Sequence, residues 1–190
     1  MRIVFCGVGA LGSTAAVLCR SLGADLRLVD CDRVETKNLA AQSFVKQSIG
    51  KNKAEALKLQ LWNFWGVKAD ALPVRVTSDN VAEVCAAADL IVDCFDNRAS
   101  REVLSAHARA TGTPLVHAAL AADGSFGLVR WEVRFTADAE DHAGQATCEG
   151  GEHLPFIGLL AAALARAIQE FVKSGRRRDA MVSLSAVTTL

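Results

Sequence analysis

Short apolar runs alternate with longer segments of helical periodicity over the first 120 residues. The runs have the length of strands and end in glycine or polar residues, which is typical of strands buried in a sheet. The predicted strands are residues 2–6, 26–30, 90–95 and 115–117, with another placed loosely within 67–76. The predicted helices are residues 13–22, 51–65, 80–87 and 99–110. This alternation predicts parallel strands joined by crossover helices.

The pattern changes after residue 120. Residues 125–135 alternate between apolar and polar side chains, which predicts an antiparallel strand or hairpin arm. The remaining predicted segments are a polar loop at 136–151, a buried helix at 155–173 and a last strand at 181–189. We therefore predict one α/β domain over residues 1–190, a Rossmann-like doubly wound, mostly parallel sheet with an antiparallel C-terminal extension.

Composition excludes several classes of protein. Lys and Arg total 21 and Asp and Glu total 21, and this zero net charge argues against a protein that binds nucleic acid over its whole surface. The six cysteines form no C-x-x-C pair, which excludes a local zinc ribbon. We find no secretory signal, and the longest apolar stretch, 154–165, is too short for a bilayer. We therefore expect no membrane partner and a cytoplasmic protein with free thiols.

Gly7, Gly9 and Gly12 form a G-x-G-x-x-G sequence between the first predicted strand and the first predicted helix. Such a loop lets a phosphate approach the backbone at a helix N-terminus, so it indicates nucleotide binding. Asp30 ends the second predicted strand eighteen positions after Gly12, which suits a carboxylate that accepts hydrogen bonds from ribose hydroxyls. These residues fit an NAD(P)-dependent oxidoreductase as well as an ATP-binding enzyme.

Residues further along the chain favour ATP. Lys53 lies at the start of a predicted helix, where its charge could reach a triphosphate. Asp96 follows a predicted central strand, at the sheet edge where α/β proteins bind ligands, and its carboxylate can hold Mg²⁺. Nucleotidyl transfer needs such charges to neutralise the phosphates, whereas hydride transfer does not.

A series of short motifs resembles the ThiF/MoeB/HesA family, the adenylating domain of ubiquitin-activating enzymes. After the glycine loop come Val-Asp-x-Asp-x-Val-Glu at 29–35, Asn-Leu-x-x-Gln at 38–42, Lys-Ala at 53–54, Asp-Cys-Phe-Asp-Asn at 93–97 and Pro-Leu-Val-His-Ala-Ala at 114–119. Each motif is weak alone, and together they are specific. The resemblance extends over nearly the whole chain, to a closing strand within 179–190.

The resemblance implies ATP and Mg²⁺ as cofactors and adenylation of the C-terminal carboxylate of a ubiquitin-like or sulfur-carrier protein that ends in Gly-Gly. It also implies a nucleotide-binding core at about 1–120, a carrier-binding part at about 121–190, and a homodimer or heterodimer. The family's nucleotide-binding positions carry over to Gly7, Gly9, Gly12, Asp30, Asp32, Asn38, Gln42 and Lys53. Its catalytic positions carry over to Lys53 and to Asp96, which would bind Mg²⁺.

Purely local roles remain open for three of these residues. Asn38 could cap a helix, Lys53 could be a solvated helix lysine, and Asp96 could belong to a strand-end turn.

Cys148 lies in the predicted loop before the last helix. The resemblance implies that a cysteine at this place can accept the activated carboxylate or sulfur. Glu149 and Glu152 nearby would raise the pKa of the thiol, so a passive loop cysteine is the alternative interpretation.

The chain departs from the family pattern in ways that affect charge. It starts at the first predicted strand, so we expect the family's N-terminal helix and its arginine to be missing, and Ala41 stands where the family has arginine. Arg33, Arg98 and Arg101 are candidates to replace these cations. The zinc-binding cysteine pairs are absent, so structural zinc is not expected. The departures leave open a catalytically weak adaptor or pseudo-subunit, and an offshoot that activates a small-molecule or tRNA carboxylate.

The segment 61–65 is an unusually aromatic helix end. Core packing is the preferred interpretation, with a dimer contact as the alternative.

Overall fold

The computed structural model describes residues 1–121, 124–132, 153–183 and 187–189. Its centre is an eight-stranded sheet with the order β3-β2-β1-β4-β5-β6-β7-β8. The strands are β1 (Arg2–Cys6), β2 (Asp25–Val29), β3 (Ala69–Leu72), β4 (Leu90–Asp93), β5 (Leu115–Leu120), β6 (Phe126–Trp131), β7 (Ala180–Ser183) and β8 (Val187–Thr189). Strands β1 to β5 pair in parallel, and β6, β7 and β8 add antiparallel to the β5 edge. The predicted fold class is confirmed.

Five α-helices accompany the sheet in the described residues. They are α1 (Ala10–Leu18), α2 (Lys53–Trp65), α3 (Val81–Val84), α4 (Arg98–Thr111) and α5 (Leu154–Ser174). Two short 3-10 turns, Thr36–Ala40 and Lys46–Ser48, interrupt the segment between β2 and α2. Helix α2 begins where the Asn52 side chain accepts the N–H groups of Ala54 and Glu55, and it ends at Gly66 in the left-handed conformation.

Strand β1 is buried on both faces, because successive side chains of a strand point to opposite sides. Ile3 and Phe5 belong to the larger apolar cluster, which includes residues of α1, α2 and α5. Val4 and Cys6 belong to the other cluster, with residues of α3 and α4. Helices therefore cover both faces of the parallel sheet, as a doubly wound fold requires.

The C-terminal strand prediction was wrong in one respect. The single strand expected at 181–189 is two strands, β7 and β8, which pair antiparallel. The sequence between them contains neither glycine nor proline, so no local signal marked the reversal. The helix expected at 80–87 is also shorter, and Ala87 adopts a φ of 57° beyond its end.

Helix α5 is longer than the apolar stretch at 154–165, and the expectation that it is too short for a bilayer was wrong. Among the described residues it is the one helix that is long and apolar enough to cross a membrane, with 44% of the relevant window buried within the protein. Length and composition are weak indications here, because core helices of globular domains share them. The buried side packs against α1 and β6. At Gly127 of β6 a Cβ would lie 2.5 Å from a methyl group of Leu160, so glycine permits this close packing.

The aromatic end of α2 does not pack in the core, contrary to the preferred interpretation. Leu61 is buried, whereas Trp62, Phe64 and Trp65 are exposed by 50%, 62% and 42%. Arg20 stacks on the Trp65 ring and Lys68 lies over the Trp62 ring, so cations cover part of this surface.

Candidate nucleotide-binding site

The glycine loop lies where the strand order of the sheet changes direction. Strand β1 is flanked by β2 and β4, so the loop that follows β1 opens into the crevice where doubly wound folds bind ligands. Gly7 has a φ of +84°, and a Cβ on it would lie 2.9 Å from the carbonyl of Cys94. A Cβ on Gly12 would lie 1.9 Å from the carbonyl oxygen of Gly7. The protein's own packing therefore requires both glycines.

Gly9 has a different role in the loop. It is the N-cap residue of α1, and a Cβ on it would meet no atom within 4 Å. Its missing side chain therefore leaves space open directly before the N-terminus of α1. A phosphate group fits such a place, because the first N–H groups of a helix and its dipole attract anions.

Asp30 follows β2 and joins the two loops of this edge. Its Oδ2 accepts the Val8 N–H at 2.9 Å and its Oδ1 accepts the Asp32 N–H at 2.9 Å. Burial raises the pKa of Asp30 above its ordinary value, although the two backbone N–H groups and the charge of Lys53 oppose the shift. The carboxylate thus fixes the glycine loop against the loop after β2, a role that the sequence did not indicate.

Asn52 and Lys53 bring the start of α2 to the same place. The Asn52 side chain donates to the carbonyl oxygens of Asp30 and Asp32, at 2.8 and 3.1 Å, while it caps the helix. Lys53 is buried, with its Nζ 3.2 Å from Oδ2 of Asp32, whose side chain is 60% exposed. The local interpretation of Lys53 as a solvated helix lysine does not describe this position. Asn52 was missed, although an asparagine directly before a predicted helix is a recognisable signal.

The segment between β2 and α2 covers the first turn of α1. The Ser43 N–H donates to Oγ of Ser13 at 3.0 Å, and the hydroxyl oxygens of Ser43 and Thr14 are 3.0 Å apart. Next to this contact, the Gln42 Oε1 atom is buried with no hydrogen-bond partner among the described residues. An amide at this position fits a polar ligand at the N-terminus of α1.

Asn38 caps a turn in the same segment. Its Oδ1 accepts the Glu35 N–H at 2.8 Å. This oxygen therefore has the local capping role that the sequence left open.

Asp96 lies exposed in the turn between β4 and α4. Cys94 and Phe95, which precede it, are the residues that a Cβ on Gly7 would meet, so this turn abuts the glycine loop. Asn97 follows and begins α4 by accepting the Ser100 N–H at 2.9 Å. The glycine loop, Asp30 with Lys53, and the Asp96 turn therefore share one edge of the sheet.

Cys148 lies outside the described residues.

A buried ionic network extends from the Asp96 turn to β6. Oδ2 of Asp93 lies 3.0 Å from Nε of Arg101 and 2.7 Å from Nδ1 of His117. The other ring nitrogen of His117 lies 2.6 Å from Oε2 of Glu132. Sequence reasoning assigned no role to Asp93, His117 or Glu132, and Arg101 entered only as a possible phosphate-binding cation. Here Arg101 instead pairs with Asp93.

The pKa shifts in this network follow from its mutual hydrogen bonds. Burial opposes ionisation of Asp93, but the hydrogen bond from His117 and the charge of Arg101 outweigh it and lower the pKa of Asp93. The pKa of Glu132 is also lowered, because its hydrogen bonds to His117 and Ser105 outweigh burial. Burial would lower the pKa of His117, yet its bonds to both carboxylates raise it.

The other two candidate cations differ in position. Nε of Arg98 lies 2.6 Å from Oε1 of Glu102 on the exposed side of α4. Arg33 donates to the Gly50 carbonyl oxygen at 2.6 Å and forms a β-bridge with Asn52, which places it beside the start of α2.

Comparisons with known proteins agree with this architecture. The chain is 35% identical over 122 residues to the SAMP-activating enzyme E1 of Haloferax volcanii, covering 63% of this chain and 45% of that protein. It is 32% identical over 120 residues to the sulfur carrier protein ThiS adenylyltransferase of Escherichia coli, covering 62% of this chain and 48% of that protein. The chain thus spans less than half the length of these relatives.

The fold matches that of MccB from E. coli in a crystal structure with ATP. The TM-score is 0.81 at 17% identity, with all of this chain and 62% of that chain covered. At this identity the likeness shows the fold alone. The ThiF family matches residues 1–171 of the sequence. This match covers most of the chain, and the chain therefore belongs to the ThiF family.

Proposed function

We propose that this protein uses ATP and Mg²⁺ to adenylate the C-terminal carboxylate of a ubiquitin-like or sulfur-carrier protein that ends in Gly-Gly. The observation that carries the proposal is the meeting of three features at one sheet edge. These are the open space at Gly9, the buried Lys53 and the exposed Asp96. The names of the adenylyltransferase relatives support the choice of reaction.

Each feature has a chemical task in the proposed reaction. The N-terminus of α1 binds phosphate oxygens in the space beside Gly9. The NH2 group of the Gln42 amide donates to a phosphate oxygen, and its buried Oε1 accepts from a donor group of the nucleotide. Lys53 supplies positive charge, and Asp96 holds Mg²⁺, which when bound neutralises charge on the phosphates. The carrier carboxylate forms a bond to the α-phosphorus while the bond to pyrophosphate breaks, which leaves an acyl adenylate.

The remaining assignments of nucleotide contacts are part of the same proposal. Asp30 and Asp32 face the ribose, and Asn38 lies beside the phosphates. Asp30 keeps unshared acceptor capacity for this contact, because each of its oxygens accepts one backbone N–H and a carboxylate oxygen can accept two.

A covalent second step is proposed at Cys148. Its thiolate would attack the carrier carbonyl of the acyl adenylate, forming a thioester and releasing AMP. Intact mass of the carrier reaction tests this step. A mass increase equal to the carrier less one water, lost in Cys148→Ala, is expected. Equal product formation by Cys148→Ala without any adduct on the native protein would contradict it.

The proposal extends to the setting of the enzyme. Residues at about 1–120 would bind the nucleotide and those at about 121–190 the carrier, within a dimer in the cytoplasm. The cysteines at positions 6, 19, 31, 85 and 94 are free thiols, as in proteins of reducing compartments.

ATP–pyrophosphate exchange with candidate carriers ending in Gly-Gly tests the function. We expect exchange with one carrier and a loss of about 10²- to 10³-fold in Lys53→Ala. Lys58→Ala is the matched control, because Lys58 lies exposed on the same helix. Absence of both exchange and ATP binding would refute the proposal, and tight binding of NADH would favour an oxidoreductase.

A catalytically weak adaptor is the second candidate, and the position of Ala41 favours it. Ala41 is buried in the larger apolar cluster, at the position where the family pattern has a cation. An adaptor would bind its partner without measurable exchange, so turnover by the isolated chain would exclude it.

A further inference from the structure

The ionic network described above follows a row across the sheet. Asp93, His117 and Arg130 are opposite one another on β4, β5 and β6, and Glu132 directly follows β6. Helix α4 covers the row with one stripe of side chains. The side chains of this stripe are spaced four residues apart along α4, and they are Arg101, Ser105 and Arg109.

His117 is the centre of this row and is 1% exposed. Its two ring nitrogens lie 2.7 and 2.6 Å from carboxylate oxygens of Asp93 and Glu132. Ionised carboxylates only accept hydrogen bonds, so both ring nitrogens must donate, which requires an imidazolium. A neutral ring would place a nitrogen lone pair against an oxygen at one of these contacts.

The row is connected to the turn that carries Asp96. The second oxygen of Asp93 accepts the Phe95 N–H at 3.0 Å, one residue before Asp96. Arg101, which pairs with Asp93, also donates to the Ala118 carbonyl oxygen at 3.5 Å and so links α4 to β5. The conformation of the turn therefore depends on where the Asp93 carboxylate is held.

We propose that His117 is a positioning residue that, as an imidazolium bridging Asp93 and Glu132, fixes the turn carrying Asp96. The importance of this turn for Mg²⁺ rests on the proposed function. The bridge itself does not depend on the proposed function, because it involves only contacts within the chain. His117 acts through Asp93 and does not touch the nucleotide.

Charged groups of both signs surround His117, and its direct hydrogen bonds to the two carboxylates favour the imidazolium. Acidic groups come from β4 and from the residue after β6, and basic groups come from α4 and β6. They are Asp93, Glu132, Arg101, Arg109 and Arg130, with the thiols of Cys6 and Cys94 next to Asp93. The pKa of His117 is raised above its ordinary value of 6.5, so the bridge is complete below that pH and is lost as the pH rises through the raised value.

Nitrogen NMR of the full-length protein tests the protonation state. We expect both ring nitrogens of His117 to carry protons at pH 6, which is below the ordinary pKa of 6.5. The spectrum of a neutral tautomer at that pH would overturn the proposal.

Hydrogen exchange tests the effect on the turn. In His117→Gln we expect the Phe95 amide to exchange about tenfold faster, because the carboxylate that holds it loses one anchor. The Val8 amide, which Asp30 holds, is the internal reference and should not change. His107→Gln, at a half-buried position of α4, is the matched control. An unchanged Phe95 rate in His117→Gln would overturn the proposal.

A second variant and a second measurement complete the test of His117. Should His117→Gln fail to fold, Glu132→Gln removes the charge from the other end of the bridge, and faster exchange at Phe95 is again expected. In the ATP–pyrophosphate assay, His117→Gln should raise the Mg²⁺ concentration for half-maximal rate by about tenfold. An unchanged Mg²⁺ dependence would contradict the proposal, whereas absence of exchange in the native protein with a slow Phe95 amide would refute only the proposed function.

Discussion

Two buried aspartates lie on either side of β1, and their surroundings differ in kind. Asp30 follows β2 and is 6% exposed, and Asp93 ends β4 and is fully buried. Backbone N–H groups hold Asp30, and its pKa is raised, because burial outweighs them and Lys53. Charged side chains hold Asp93, and its pKa is lowered. Burial alone therefore does not set the direction of the shift, and two directly bonded cations reverse it.

The difference extends to how each half of the site is built. The Asp30 half consists of loops whose contacts are mostly to the main chain, so their geometry follows from the fold. The Asp93 half depends on side chains from α4, β5 and the end of β6, each of which can be removed by one substitution. We expect the second half to be more sensitive to changes of side-chain charge.

The largest expected effect is on stability in Asp93→Ala. It leaves His117 and Arg101 buried without their shared carboxylate, so the free energy of unfolding should fall by about 3–5 kcal/mol. Urea denaturation measures this loss. Asp30→Ala leaves two backbone donors without an acceptor and should cost about 2 kcal/mol. Equal losses in the two variants would remove the contrast.

Substitutions at Gly12 and Gly9 test the loop that Asp30 holds. Gly12→Ala should destabilise the fold by about 3 kcal/mol in thermal or urea unfolding, because its Cβ would meet the Gly7 carbonyl oxygen. Gly9→Ala is the matched change, and it should leave stability within about 0.5 kcal/mol because its Cβ meets no atom. Instead it should weaken ATP binding, measured by calorimetry. Unchanged ATP affinity in Gly9→Ala would mean that the space beside Gly9 is not used.

The two aspartates should affect acid stability with opposite signs. The stabilisation from Asp93 is present above its ordinary pKa of 3.8 and is lost as the pH falls through the lowered value. The raised pKa of Asp30 means that its ionisation opposes folding, so acidification relieves a cost. Between pH 6 and pH 3, Asp93→Asn should therefore lose about 1 kcal/mol less than the native protein.

Asp30→Asn should lose more than the native protein over the same pH range. Chemical denaturation at each pH measures both slopes. Changes of the same sign in the two variants would show that the pKa directions are wrong.

The smallest effect is expected for an exposed ion pair on α4. Glu102→Ala removes the partner of Arg98, whose side chain is 44% exposed, and should cost only about 0.3–0.5 kcal/mol. This variant shows how little an exposed charge contributes on the helix that also holds Arg101. A loss as large as that of Asp93→Ala would mean that exposure does not separate the two pairs.

Local signals were sufficient to predict the sheet edge that carries the glycine loop. The glycine loop, the apolar runs and the cap residues are neighbours in sequence, and the structure confirms the parallel sheet that they indicate. The predicted roles of Lys53, Gln42 and Asp96 stay predictions, although the structure brings the segments that carry them to one edge.

The ionic network could not be predicted in the same way. His117 lies 24 positions from Asp93 and 15 from Glu132, and only the order of β4, β5 and β6 brings the three together. The Arg101, Ser105 and Arg109 spacing on α4 was the one local signal, and it resembles an ordinary polar helix face. The prediction that the aromatic end of α2 packs in the core was wrong for a related reason. Helical spacing shows which residues share a face, but it does not reveal what covers that face.

Asn52 has a consequence for engineering the chain. By bonding to the carbonyl groups of Asp30 and Asp32, it joins both ends of the segment 31–51 at one amide. The exposed residues 45–47 lie within this segment, five to seven positions before Asn52. Because loop closure costs only about 0.6 kcal/mol for each doubling of length, this turn is a suitable place to insert a reporter peptide without disturbing the sheet.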